Sequence, residues 1–187
     1  MKIILASGSP RRRQLMEGLD IPFEVECSGD VAEIIPEGMP PEKTPEYLAR
    51  LKSETFRPLA GDELLITADT VVVCNRQLLG KPAGKADAQR MLHLLSGNRH
   101  EVFTGVCLRT PNTTHSFTDR TTVFFRHLSA EEINYYIDRY RPCDKAGAYG
   151  AQEWIGYVGI ERIEGSYFNV MGLPLQPLYG ALQKLMR

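Results

Sequence analysis

Three consecutive arginines, Arg11, Arg12 and Arg13, stand directly behind a Ser7-Gly8-Ser9-Pro10 turn. The turn ends an apolar run, Ile3-Ile4-Leu5-Ala6, that reads as a buried strand. Ser9 suits a helix N-cap, and Pro10 suits the first helical position because its missing N–H would have no partner there. Cations in that first turn oppose the helix dipole at about 0.3–1 kcal/mol each. A bound anion reverses the sign. Backbone N–H groups at Gly8 and Ser9, two hydroxyls and an arginine fork together make a cradle for phosphate. A solvated basic turn is the plainer alternative, but a hydroxyl-glycine turn set between strand and helix favours phosphate. No G-x-x-x-x-G-K-[ST] occurs in the chain, so this is not a Walker loop.

Asp69 is the most informative acid. It interrupts two apolar runs, 64–68 and 71–73, where an unpaired carboxylate would be costly to bury. Either it is a satisfied turn aspartate or the partner of a core arginine, or it is a carboxylate held at a strand end as a general base or metal ligand. Glu33 shares a long acidic loop with Asp30 and Glu37, and residue type alone does not choose among the three. Lys52 and Lys81 are common surface types, but Gly80 and Pro82 fix the backbone around the second, which aims it. Arginine, lysines, two carboxylates and a hydroxyl-rich helix start are the parts that phosphoryl chemistry needs. His93, His100, His115 and His127 have no His or Cys companion at zinc-ligand spacing. His93 reads as helix surface and His100 as structural at a strand start. Trp154, Tyr135, Tyr136 and Tyr149 read as core or interface.

The elements that must position these groups alternate between strand and helix patterns. After the opening strand and helix, 22–27 alternates as a strand, and 28–41 is a long proline-bearing acidic loop of the kind that is often functional. Thr44-Pro45 opens a helix with Leu48 and Leu51 inward. Strand-like pieces at 64–68 and 71–74 flank Asp69-Thr70, and 75–76 reads as a turn. Residues 86–95 have helical spacing closed by Gly97, 100–108 and 116–125 read as long neighbouring strands, and Ser129 to Glu132 is a capping box. A glycine-alanine turn at 145–152, a strand at 157–163 and a closing helix from 173 complete the chain. Strands mixed with helices imply an α/β or α+β domain with a mixed sheet and flanking helices.

At 187 residues the chain is one large domain or one domain of two lobes, long enough for a sizeable core. The net charge of −1 offers no basic field for nucleic acid, so a polyanion would need a local cluster. The four cysteines are far apart, with no C-x-x-C. Three of them lie in apolar, strand-like surroundings, which predicts buried free thiols and a reducing compartment. The first residues are too short an apolar run for a signal-peptide core, and no run reaches membrane-spanning length, so a soluble, cytoplasmic protein is expected.

Together these residues resemble the Maf family of nucleoside triphosphate pyrophosphatases. The resemblance runs almost end to end: ASGSPRR at 6–12, ADTVV at 68–72, GKP at 80–82, LSGNRHEVFTG at 95–105, DKAGAYGAQ at 144–152 and VMGLP at 170–174. It implies one domain over 1–187 with a mixed-sheet α/β fold like inosine triphosphate pyrophosphatase, two lobes around a central cleft, and a homodimer. It implies hydrolysis of a nucleoside triphosphate to monophosphate and pyrophosphate with a divalent cation, Mg²⁺ or Mn²⁺. By the same resemblance Asp69 is the catalytic acid/base residue, Ser7, Arg11, Arg12, Lys52 and Lys81 bind substrate, and Glu33 and Asp69 hold the metal. Arg12, Thr70 and Gln152 match the subgroup acting on dTTP and UTP. A primary amide at Gln152 offers the donor and acceptor that match N3–H and a carbonyl of uracil or thymine. A nucleotide-binding regulator of cell division with little turnover is the alternative, and nucleic acid and membrane are not expected partners.

Overall fold

The opening apolar run forms strand β1 (Lys2–Leu5), with Ile3, Ile4 and Leu5 buried, in a computed structural model that describes residues 1–27 and 32–186. Helix α1 (Pro10–Glu17), strand β2 (Glu24–Val25), a 3₁₀ turn (Pro41–Lys43) and helix α2 (Thr44–Glu54) follow. Then come β3 (Glu63–Cys74), β4 (Gln77–Leu79), α3 (Lys85–Leu95), β5 (Arg99–Arg109), β6 (Thr114–Phe125) and α4 (Ala130–Tyr140). A second 3₁₀ turn (Ala146–Ala148) leads to α5 (Trp154–Gly159), β7 (Ile160–Glu164), α6 (Tyr167–Met171) and α7 (Leu175–Leu185).

The strands hydrogen-bond in the order β2-β1-β3-β5-β6-β7, with β4 paired to β3. β1 runs parallel to both neighbours, Ile4 standing opposite Glu24 on one side and Leu65 on the other. β3 with β4 and β6 with β7 are antiparallel, the second pair carrying a bulge at Phe124/Phe125. The sheet is therefore mixed and flanked by helices, as the alternating patterns predict.

The chain packs as two compact units. The first is Met1–Asp69, Thr104–Asp119 and Gly172–Arg187; the second is Thr70–Phe103 and Arg120–Met171. In the first, Gly105 on β5 lies against the start of α2, where a Cβ would sit 2.2 Å from the Glu46 nitrogen, so only glycine permits the approach. Glu46 then accepts hydrogen bonds from Ser116 (2.6 Å) and Thr118 (3.1 Å) on β6. The second has one apolar core that joins α3, α4 and the strands through Leu92, Leu95, Val102, Ile133 and Ile155. Helix α4 shows why it forms: the Ser129 hydroxyl accepts from the Glu132 N–H while the Glu132 carboxylate accepts from the Ser129 N–H. Its buried Ile133, Tyr136 and Ile137 fall at helical spacing, each apolar side chain contributing about 1.5–3 kcal/mol by burial.

Several expected boundaries move. The strand expected at 22–27 is only Glu24–Val25, and the pieces at 64–68 and 71–74 are one uninterrupted strand, β3. Asp69 thus stands in the middle of a strand rather than at its end. The strand expected at 157–163 begins only at Ile160, because α5 occupies the residues before it. Within that helix Gly156 is seated so closely on the Ala151 carbonyl, five residues back, that a Cβ would lie 1.9 Å from its oxygen. The closing helix begins at Leu175, preceded by the short α6. Residues 32–40 of the acidic loop form neither helix nor strand, while 28–31, including Asp30, lie outside the described residues. All four cysteines are free, but only Cys74 and Cys107 are buried; Cys27 and Cys143 are exposed, since both lie in connections rather than in strands. No helix among the described residues is long and apolar enough to cross a membrane.

Candidate active site

The hydroxyl-glycine turn forms as the sequence suggests, but its groups are largely spoken for. The Ser7 hydroxyl accepts the Ser9 N–H at 3.2 Å, so that backbone donor is not open to a ligand, and Ser9 caps α1 by accepting the Arg12 N–H at 3.5 Å. Arg13 points outward and pairs with Glu17 at 3.0 Å, one turn along the helix. Arg12 turns inward. Its Nε donates to the Gly172 carbonyl and its Nη1 to the Ala68 carbonyl, both at 2.8 Å. The guanidinium thereby clamps α1 to β3 immediately before Asp69 and to the segment ahead of α7. Burial works to lower the Arg12 pKa, and attraction to the Asp69 carboxylate opposes that. Ser7 and Arg11 are half-buried at the same turn.

Asp69 needs no break in β3 because cations meet it where it stands. Lys52, on the last turns of α2, donates to Asp69 Oδ1 at 2.5 Å and pairs with Glu33 Oε1 at 2.8 Å. The Asp69 side chain is only 13% exposed, Lys52 18% and Glu33 45%. Burial raises the Asp69 pKa above the ordinary carboxylate value; Lys52 and Arg12 pull it down, and Glu33 adds to the rise. The result is a carboxylate held rigidly by a strand, less acidic than usual, with three charged neighbours. Both carboxylates converge on one cationic centre, and their hard oxygens are the donor type that Mg²⁺ and Mn²⁺ prefer. No group of three or more His, Cys, Asp or Glu converges among the described residues, so a cation held here needs further oxygens from water or ligand.

The other expected residues, Thr70, Lys81 and Gln152, belong to the second unit. Thr70, half-buried, follows Asp69 on β3. Lys81 is exposed between half-buried Gly80 and buried Pro82, and the Gly80 carbonyl accepts the Gly147 N–H at 3.0 Å, tying the Lys81 segment to the glycine-alanine turn. Gln152 lies in a tight turn closed by the Glu153 N–H donating to the Gly150 carbonyl at 3.0 Å. Its backbone carbonyl accepts the Tyr157 hydroxyl at 2.7 Å. Its side-chain Oε1 is buried and meets no hydrogen-bond partner among the described residues. A buried acceptor left unmade costs about 1–3 kcal/mol, which makes this atom stand out as one suited to a ligand donor.

Of the histidines, His93, His115 and His127 are exposed, whereas His100 is buried and shares a 2.7 Å hydrogen bond between Nε2 and the Tyr149 hydroxyl. With no charged partner, burial drives its pKa down to about 3, so it is a neutral structural residue. Sequence reasoning passed over the residues that hold the Gln152 turn: Tyr136, which reads as core or interface, and Lys145 and Glu153, which do not stand out at all. The one available signal was that a tyrosine on the buried face of a helix must find a partner for its hydroxyl.

A family model described as Maf-like protein matches residues 2–185. The chain belongs to the Maf family. Among relatives of this Maf chain, the dTTP/UTP pyrophosphatase of Porphyromonas gingivalis (strain ATCC 33277) is 54% identical over 185 residues, covering 97% of this chain and 93% of that protein. The dTTP/UTP pyrophosphatase of Parabacteroides distasonis is 52% identical over 183 residues, covering 97% and 95%. Among solved structures, the Staphylococcus aureus Ham1 protein aligns over 100% of both chains with a TM-score of 0.54 at 15% identity. A HAM1 protein from Coxiella burnetii aligns over 98% of this chain and 99% of its own with a TM-score of 0.53, again at 15% identity. At such identity the Maf chain shares their fold, and nothing more is drawn from the likeness.

Proposed function

We propose that this Maf chain is a nucleoside triphosphate pyrophosphatase that hydrolyses dTTP and UTP to the nucleoside monophosphate and pyrophosphate. Residues 1–187 act as a single catalytic domain. The observation that carries the reading is the meeting of Asp69 and Glu33 on the Lys52 ammonium, with the half-buried Arg12 guanidinium drawn toward Asp69. Relatives named for this reaction, matched over nearly the whole chain, support the substrate class.

The chemistry follows from those groups. Asp69 takes the proton of a water whose oxygen attacks the α-phosphorus, and its burial-raised pKa makes it a better proton acceptor than a solvated aspartate. The bond from the α-phosphorus to the bridging oxygen breaks, and pyrophosphate leaves with the electron pair. Ser7 and Arg11 at the head of α1, with Arg12, Lys52 and Lys81, supply the hydroxyl and cationic contacts to the phosphates. A divalent cation, Mg²⁺ or Mn²⁺, would be held by Glu33 and Asp69, where it would neutralise charge developing on the phosphate oxygens. Thr70 and Gln152 recognise the base, the amide answering N3–H and a carbonyl of uracil or thymine. A homodimer and a cytoplasmic setting complete the proposal; sedimentation and cell fractionation test them.

Pyrophosphate release from a panel of nucleoside triphosphates with Mg²⁺ is the direct test. Turnover of dTTP and UTP above the purine nucleotides is expected, and Asp69→Asn lowers kcat by about 10²-fold or more. Near-wild-type turnover by that variant removes Asp69 from the chemistry. Tight nucleotide binding with no product from the wild type replaces the enzyme by a nucleotide-sensing regulator.

A further inference from the structure

Gln152 is fixed by its backbone, and the fixing atom belongs to a distant helix. The Tyr136 hydroxyl on α4 accepts the Gly150 N–H at 3.0 Å and donates to the Glu153 carboxylate through Oε2. Gly150 and Glu153 are the first and last residues of the turn that carries Gln152, itself closed by their own backbone hydrogen bond. One oxygen therefore grips both ends of that turn. The other Glu153 oxygen receives the buried Lys145 ammonium at 3.1 Å, which also reaches Asp144 at 2.8 Å. The platform beneath is stiff: Tyr136 is fully buried, its ring stacks on Tyr140 with centroids 5.1 Å apart, and the capping box secures the start of α4. Against this fixed backbone, Gln152 Oε1 is buried with no partner among the described residues.

We propose that Tyr136 is a positioning residue for nucleobase selection, its hydroxyl holding the 150–153 turn so that the Gln152 amide keeps one orientation toward an incoming base. The inference rests on the reading of Gln152 as the residue that recognises the base. An amide free to turn over presents a donor or an acceptor with equal ease, and so cannot separate uracil, which has N3–H, from cytosine, whose N3 accepts. An amide held in one orientation can. The buried carboxamide oxygen then waits for the N3–H of uracil or thymine and rejects the N3 lone pair of cytosine.

The test compares pyrophosphate release from UTP, dTTP and CTP by the wild type, Tyr136→Phe and Gln152→Ala, with thermal unfolding measured on each. Tyr136→Phe removes one oxygen and keeps the ring. It is expected to raise KM for UTP by about tenfold with kcat held within about threefold, and to move the UTP-to-CTP ratio of kcat/KM toward that of Gln152→Ala. A merely structural hydroxyl would lower the melting temperature and leave the ratio at its wild-type value, and that result overturns the proposal. Should Tyr136→Phe fail to fold, Glu153→Gln, which keeps an acceptor for the hydroxyl, is compared with Glu153→Ala. A ratio retained by glutamine and lost by alanine supports the role, and equal ratios overturn it. If the wild type does not prefer UTP to CTP, or Gln152→Ala leaves the preference intact, the reading of Gln152 falls and this inference with it.

Discussion

Stability should depend on acidity through one buried side chain. His100 is 1% exposed, edge-on to Phe125 (5.1 Å between centroids) and Tyr149 (5.4 Å), and no charged group opposes the desolvation that lowers its pKa from 6.5 to about 3. Between these values the unfolded chain binds a proton at His100 and the folded chain does not. Stability from this group is complete above about pH 6.5 and is lost as pH falls toward 3, at up to 1.36 kcal/mol per pH unit. From about pH 7 to pH 5 the loss is about 2 kcal/mol. Glu63 and Glu132, both held near a pKa of about 2 by their arginine partners Arg57 and Arg126, act in the same direction only below their unfolded value of 4.5, outside this window. His100→Gln removes the titration while still offering the Tyr149 hydroxyl a partner. Urea unfolding at both pH values should give the wild type a stability difference larger than the variant's by about 2 kcal/mol. Equal differences, or a His100 ring that titrates near 6.5 by NMR, would refute the reasoning.

Gly105→Ala should leave little soluble protein, because the added methyl must displace the α2 backbone at Pro45–Glu46. Circular dichroism and solubility decide it, and a wild-type melting temperature would contradict the close approach. Lys52→Met removes the cation shared by Glu33 and Asp69, so titration calorimetry without nucleotide should find Mn²⁺ bound about tenfold more tightly while turnover falls. Mn²⁺ affinity at or below the wild-type level would show that these carboxylates are not the cation's ligands. Arg12→Lys cannot reach both the Gly172 and Ala68 carbonyls with one ammonium, so a loss of about 1–3 kcal/mol is expected in denaturant titrations.

What could be read ahead of the structure was local. The Ser129–Glu132 capping box, the strand-turn-helix at the N-terminus and the apolar spacing of α3 each depend on neighbours a few residues away, and each formed as expected. Around Asp69 and Arg12 the deciding partners are distant instead. Asp69 reads as a break between two strands because nothing nearby in sequence neutralises it; Lys52, which does, is 17 residues distant on another element. The Ala68 and Gly172 carbonyls that Arg12 engages lie 56 and 160 residues along the chain, so nothing local announces that clamp. The 157–163 segment has the alternation of a strand, but a short helix runs through Gly159 and the strand starts only at Ile160. The amide of Gln152 was placed by resemblance; the hydroxyl beneath its turn could be found only in three dimensions.

The chain passes from one unit to the other and back more than once, and α7, with Leu178, Ala181 and Leu182 buried, belongs to the unit that β1 begins. Synthesis therefore makes β1 long before α7, which belongs to the same unit. The 70–103 and 120–171 segments, which make up the second unit, are both complete before α7 of the first has been made. Vectorial synthesis would finish the second unit before the first, and a stop codon ahead of Gly172 would deprive the unit that holds β1 of its last helix.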